Sequence, residues 1–173
     1  MIDEITAEEL RDKMDRDEDF YVIDTRDESV FEEWHIKNAI NYPFSDDSRL
    51  EEKEIKYLKD ELGVNRSDNV VAICAKGVSS SNFAKELDRK GYANVQAVKG
   101  GMNAWSKVYD RVRISTKKDS IEIHQLQRRA KGCMGYLVGS KQTGEAAVID
   151  PSRHIEEYIR AANEEGFKIV RVF

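Results

Sequence analysis

Apolar positions come in short runs along the first two thirds of the chain, and the runs are separated by stretches with helical spacing. The clearest run is Val70, Val71, Ala72 and Ile73, four apolar residues, mostly β-branched, that predict a short buried strand. It leads directly into Cys74, and after a small loop Ser79 and Ser80 open a helical stretch through residues 82–87 that Gly91 can close. Upstream, Thr6 and Glu9 fit a capping box, and Leu10 and Met14 give one apolar face of a first helix, ended by the acidic residues 15–19. Residues 20–23 predict a strand that stops at Asp24. Val30, Phe31 and Trp34 then stand at helical spacing. Residues 35–43 read as a turn and a short strand, with Asn38 able to take a left-handed position. Ile55, Leu58 and Leu62 mark a third helix ended by Gly63, and residues 96–98 a further strand that runs into Lys99, Gly100 and Gly101. Strands alternating with helices imply a mainly parallel sheet covered on both faces. Ligands of such sheets sit at the carboxyl ends of strands, where Asp24 and Cys74 both lie.

The pattern changes downstream. Residues 106–120 are polar and basic and read as a linker, although Val108, Val112 and Ile114 could pack on the first domain. Residues 121–124, 134–139 and 145–150 then predict three successive strands, with a turn at 141–144 between the last two. Pro151 and Ser152 open a helix carrying Ile155, Tyr158, Ile159 and Ala162 on one face. Gly166 ends it, and residues 167–173 make a last strand.

Composition narrows the class. The 173 residues are 40% hydrophobic and 35% charged, as in a soluble globular protein, and no apolar run approaches the ~20 residues a membrane helix needs. The start, Met1 to Thr6, lacks the basic and apolar regions of a signal peptide, so no membrane contact is expected. A net charge of -5 argues against a nucleic-acid partner. The two cysteines, Cys74 and Cys133, are expected to be reduced thiols in the cytoplasm.

Cys74 carries the candidate chemistry. Loop N–H groups turned towards the sulfur and the following helix N-terminus would both favour the thiolate, the nucleophilic form. Lys76 adds a full positive charge two residues on. The plainer reading is a buried, inert cysteine at a strand end. The Gly77, Lys76 and Ser79–Ser80 context favours chemistry.

Four blocks in order resemble the rhodanese-like sulfurtransferases: residues 22–26 (Val-Ile-Asp-Thr-Arg), residues 31–41 around Trp34-His35-Ile36, residues 74–80 (Cys-Ala-Lys-Gly-Val-Ser-Ser), and residues 100–105 (Gly-Gly-Met-Asn-Ala-Trp). The resemblance implies an α/β fold, a doubly wound parallel sheet, in which Cys74 takes a sulfane sulfur as a persulfide and passes it on. It implies binding of the substrate by Ala75, Lys76, Gly77, Val78, Ser79 and Ser80. Asp24 and Arg26 are expected as a structural ion pair near the site, and His35 as a turn-stabilising hydrogen-bonder. The chain departs from the family at Trp34 and Asn38, which replace glycines, and at Ser79, where many members carry Arg.

The tail, through residues 133–139 and 146–151, is similar to the opening strands of the metallo-β-lactamase superfamily, in particular its glyoxalase II and persulfide dioxygenase branches. Asp150 matches a family position of structural character, Cys133 is expected as a small apolar residue in or beside a strand, and His124 and His154 as surface residues. The expected organisation is a rhodanese-like domain over 1–112, a linker over 113–120 and a partial metallo-β-lactamase-like α/β segment over 121–173. No metal site is expected in this chain, zinc or iron being implied only for a complete metallohydrolase domain. The expected activity is sulfur transfer from thiosulfate or a persulfide, a small sulfur-donor anion, to a thiol or other thiophilic acceptor. The rivals are a non-catalytic binding module and a cysteine-dependent phosphatase or arsenate reductase. The latter would need Arg at position 80, which is Ser. The partial tail domain is expected to associate with a second copy, making a homo-oligomer, or with a missing C-terminal portion.

Overall fold

β4 (Asn69–Ile73) is the middle strand of a five-stranded parallel sheet in the computed structural model, which describes residues 2–115, 118 and 120–173. Val70, Val71, Ala72 and Ile73 are all at most 2% exposed, as a strand covered on both faces requires. The sheet order is β1 (Asp3–Ile5), β5 (Asn94–Val98), β4, β2 (Tyr21–Asp24), β3 (Ile40–Asn41). The helices between them are α1 (Ala7–Asp15), α2 (Glu28–Glu33), α3 (Glu52–Asp60), α4 (Val78–Arg89) and α5 (Gly101–Trp105). The α/β reading holds for this unit. β1 had no counterpart in the periodicity, because three residues are too few to show a period.

Local signals fall where the side chains predict. Thr6 and Glu9 form the reciprocal capping box of α1, and Asn38 sits at φ 64. Gly91 follows α4 at φ 86. α3 buries Ile55 and Leu58, and α4 buries Phe83, Ala84 and Leu87, in one cluster with Ile23, Val70 and Ala72. Phe83 anchors it, its ring 5.5 Å from that of Tyr42 and 5.2 Å from that of Phe44. From β2 the chain steps outward to β3, then returns to the other side of β2 to form β4. The strand order therefore reverses between β2 and β4, and their carboxyl ends flank the resulting crevice. That crevice positions the site.

The chain divides into Met1–Trp105 and Ser106–Phe173. The second unit is a mixed sheet ordered β10 (Lys168–Val172), β9 (Glu145–Ile149), β8 (Met134–Ser140), β7 (Ile121–Arg128), β6 (Tyr109–Arg113). Four strands are antiparallel neighbours. α6 (Glu156–Glu164) then leads to β10, which lies parallel to β9. β7 and β8 alternate buried and partly exposed positions, with Leu126 and Leu137 on the side of Tyr158 and Ala161. Gly135 and Gly139 take inward positions on β8 because a Cβ there would collide with the Tyr158 hydroxyl and the Phe167 ring.

Three readings of this half need correction. Residues 109–113, divided between the first domain and the linker, form β6 and pair with β7 in the second sheet. Their arginines disguised the alternation: Arg111 pairs with Leu126 and Arg113 with His124. The rest of the expected linker includes Thr116, Lys117 and Asp119, which lie outside the described residues. α6 begins at Glu156 rather than at Pro151, and it buries Tyr158, Ala161 and Ala162, while Ile155 and Ile159 are 52% and 45% exposed. His124, expected at the surface, is 3% exposed because it shares the helix-facing side of β7 with Leu126. Among the described residues no helix is long and apolar enough to cross a membrane.

Candidate functional site

Cys74 directly follows β4 with its side chain buried, and the next six residues curl around its sulfur. The Gly77 N–H donates to Sγ at 3.0 Å and the Ser80 hydroxyl at 3.3 Å. Two features of sequence make the curl possible. Gly77 adopts φ 95, a left-handed value that lets the loop turn inward and enter α4 directly at Val78. Gly101 lies so close beneath the loop that a Cβ on it would sit 2.2 Å from the Cys74 carbonyl oxygen and 2.9 Å from the Gly77 nitrogen. At that contact the Met102 N–H donates to the Cys74 carbonyl at 2.7 Å and the Asn103 N–H to the Ala75 carbonyl at 3.0 Å. The first turn of α5 thus ties the loop carbonyls down on one side, away from the sulfur.

The electrostatic outcome favours the anion. Burial works against ionisation of Cys74, but the hydroxyls of Ser79 and Ser80 and the N–H groups of Ser80 and Lys76 outweigh it, holding its pKa below the ordinary thiol value. Lys76 is exposed beside it. A thiolate in this position is a nucleophile for an electrophilic sulfur, and the surrounding donors suit a terminal sulfur anion.

The sulfur opens into a pocket of about 510 Å³ whose walls include Cys74, Ala75, Lys76, Val78 and Ser79. Five of the seven expected site residues therefore line it, and Gly77 and Ser80 reach the sulfur from behind. The pocket also brings in Val30 of α2 and residues that periodicity did not single out: Thr25, Phe44 and Asp46. Thr25 had a detectable signal, its place next to Asp24 at the end of β2. Its hydroxyl lies 3.3 Å from that of Ser79 and 3.3 Å from the Ile73 carbonyl, bridging the two strand ends. Phe44 and Asp46 come from the segment after β3, and only the tertiary fold carries them here.

Asp24 and Arg26 form a buried bidentate pair. Arg26 Nε donates to both carboxylate oxygens at 2.9 and 3.0 Å, and Nη2 donates to Oδ2 at 2.6 Å. Nη2 also donates to the Trp34 carbonyl at 2.8 Å, and the guanidinium lies 5.6 Å from the Trp34 ring centroid. The guanidinium is occupied in holding the β2–α2 corner, although Arg26 also borders the pocket. His35 stands apart from the sulfur: its Nδ1 lies 2.9 Å from the Phe31 carbonyl and its ring stacks on Phe31 at 4.0 Å.

The tail residues are placed differently. Cys133 is exposed in the segment before β8, and its sulfur lies 4.0 Å from the Lys131 carbonyl. His154 is half-buried, and Asp150 is exposed at φ 49. Among the described residues one group of possible metal ligands converges, Glu122, His124 and Glu165. Burial disfavours the Glu122 carboxylate, but Lys141, Arg113 and His124 outweigh it and hold its pKa below the usual range.

Comparison with known proteins agrees with the first unit. The family described as "Rhodanese-like domain" matches residues 6–108. The "Putative sulfurtransferase YtwF" of Bacillus subtilis is 35% identical over 104 residues, 60% of this chain and 90% of that protein. "Thiosulfate sulfurtransferase GlpE" of Coxiella burnetii is 29% identical over 87 residues, 50% of this chain and 72% of that protein. The chain spans 51% and 20% of the lengths of two further curated relatives. A solved structure of a Saccharomyces cerevisiae protein shares the fold with a TM-score of 0.50 at 22% identity, over 60% of this chain and 90% of that one.

Proposed function

The chain belongs to the rhodanese-like family, and on that premise we propose that it is a sulfurtransferase working through a Cys74 persulfide. The observation that carries this reading is the sulfur itself: a buried Cys74 with a lowered pKa, held by the Gly77 amide and Ser80 hydroxyl and open to a pocket. The names of relatives, a sulfurtransferase and a thiosulfate sulfurtransferase, support the same reaction class.

The chemistry proceeds in two displacements. The Cys74 thiolate attacks the sulfane sulfur of the donor. The donor's S–S bond breaks, and the remainder departs with the bonding electrons, as sulfite when the donor is thiosulfate. The terminal sulfur of the new persulfide carries the negative charge, which the loop donors stabilise. A thiolate or cyanide acceptor then attacks that terminal sulfur and releases Cys74 as the thiolate. Ala75, Lys76, Val78 and Ser79 contact the donor, with Lys76 attracting its charge. Asp24, Arg26 and His35 keep the corner beside the loop in shape without touching the reacting atoms. No metal enters this reaction.

The second unit we read as the opening part of a metallo-β-lactamase-like domain, which makes the chain part of a rhodanese–metallohydrolase arrangement. The antiparallel strands followed by α6 and a parallel β10 are compatible with that reading. The experiment is a transfer assay on the purified chain with thiosulfate or an alkyl persulfide as donor and cyanide as acceptor. Thiocyanate is expected from at least one donor, with sulfite released in step when the donor is thiosulfate. No product from either donor would contradict the proposal.

A further inference from the structure

Away from the cysteine loop, the second unit buries a histidine that no hydrogen bond accounts for. His124 on β7 is 3% exposed, and Glu122, two residues earlier on the same face, is 1% exposed. Nε2 of His124 lies 3.3 Å from Glu122 Oε1 and 3.5 Å from Oε1 of Glu165, the C-cap of α6. Both oxygens are near enough, yet the geometry gives neither ring nitrogen a hydrogen-bond partner, while Glu122 Oε1 is held in an ion pair by Arg113 Nε. Buried polar groups are ordinarily satisfied, so the two ring nitrogens call for an explanation.

The spacing itself suggests one. Nitrogen and oxygen ligands about 2.0–2.2 Å from a tetrahedral zinc ion stand roughly 3.3–3.5 Å apart. The imidazole nitrogen stands at that separation from each carboxylate oxygen, and the three ligand atoms all lie within 4.8 Å of one another. We propose that Glu122, His124 and Glu165 form a binding site for a divalent transition-metal ion, zinc being the ion their donor set fits best. Glu165, whose side chain is 28% exposed, leaves the remaining coordination position open to water.

The neighbouring charges set the terms of binding. Lys141 Nζ lies 3.2 Å from Glu122 Oε2, and Arg113 Nη2 donates to the same oxygen. Both keep the carboxylate ionised, in the state a metal takes, while opposing a further cation. Arg113 Nε also meets Oε1, and an incoming ion must displace it. The Arg113 side chain is 34% exposed and has room to move. The ion would then tie the β6–β7 ribbon to the end of α6, a structural role separate from the Cys74 chemistry.

The test uses the full chain with Cys74→Ser and Cys133→Ser, so that thiols take no metal. After treatment with EDTA it is dialysed against zinc chloride, and the bound metal is measured. One zinc ion per chain is expected, with a rise in thermal midpoint that EDTA reverses. Glu165→Gln in the same background should weaken binding at least about tenfold, and His124→Gln should weaken it further. Should His124→Gln fail to fold, the partly exposed Glu165→Gln decides alone. No retained zinc, or unchanged zinc affinity in Glu165→Gln, overturns the proposal.

Discussion

Cys74 and Cys133 are the two thiols of this chain, one immediately after a strand and the other immediately before one. Around Cys74 the backbone folds inward, two donors reach the sulfur, and a glycine pair lets α5 press against the loop. Cys133 is exposed, and the hydrogen bond its sulfur makes is a long one to the Lys131 carbonyl. Burial alone would make the buried thiol the inert one, since desolvation opposes the thiolate. At Cys74 the loop donors outweigh that cost, so the thiolate is favoured by how the chain wraps the sulfur.

The largest effect should come from exchanging the two thiols for hydroxyls. Cys74→Ser should lower sulfur transfer by at least about a thousandfold, the scale of losing a nucleophile. Cys133→Ser should leave it within about twofold, and a matched loss in both variants would erase the contrast. The next effect targets the wrap rather than the sulfur. Gly101→Ala places a Cβ against the Cys74 carbonyl at φ 55, so the loop must shift. Stability should fall by about 1–3 kcal/mol in denaturant melts. Turnover of the protein that remains folded should drop on the order of a hundredfold, as a misplaced reacting group implies.

Much of this contrast can be read from the residues and part of it cannot. A β-branched run ending in cysteine, then Gly77 and a helical stretch, is enough to place Cys74 at a strand end, because strand period and glycine punctuation are local signals. The bracing by Gly101 is not local: it depends on β5 lying beside β4, which brings residues 100–103 under the loop. The same holds for Phe44 and Asp46 in the pocket. In the second unit β6 escaped notice because its alternating positions hold arginines, whose charge hides a strand that is bonded along its length to β7. His124 was misplaced for a related reason. A polar residue on a short strand reads as outward-facing until α6 is known to cover that side, and Glu165 reaches it only from the end of the helix.

Smaller effects sharpen the account of what the loop contributes. Lys76 is exposed, so its attraction for an anionic donor is screened. Lys76→Ala should raise the KM for thiosulfate roughly two- to fivefold with little change in kcat, and the difference should shrink at high salt. Ser79→Arg should lower that KM, because a guanidinium grips an oxyanion at two points. The smallest effect is on pH. The thiolate is the reactive form, so alkylation of Cys74 rises with pH and should level off below the pH at which a free cysteine does, its pKa being lowered. Ser80→Ala removes a donor to the sulfur, and the midpoint should move up. A profile for Ser80→Ala that overlays the parent would show that this hydroxyl does not stabilise the anion.

The most direct measurement is the intact mass of the full chain after brief incubation with thiosulfate or an alkyl persulfide, followed by peptide mapping without reductant. A persulfide at Cys74 predicts the gain of one sulfur atom, located in the peptide containing residues 74–80, removed by cyanide and absent from Cys74→Ser. An unchanged mass with both donors, or a sulfur found on Cys133 instead, would contradict the account.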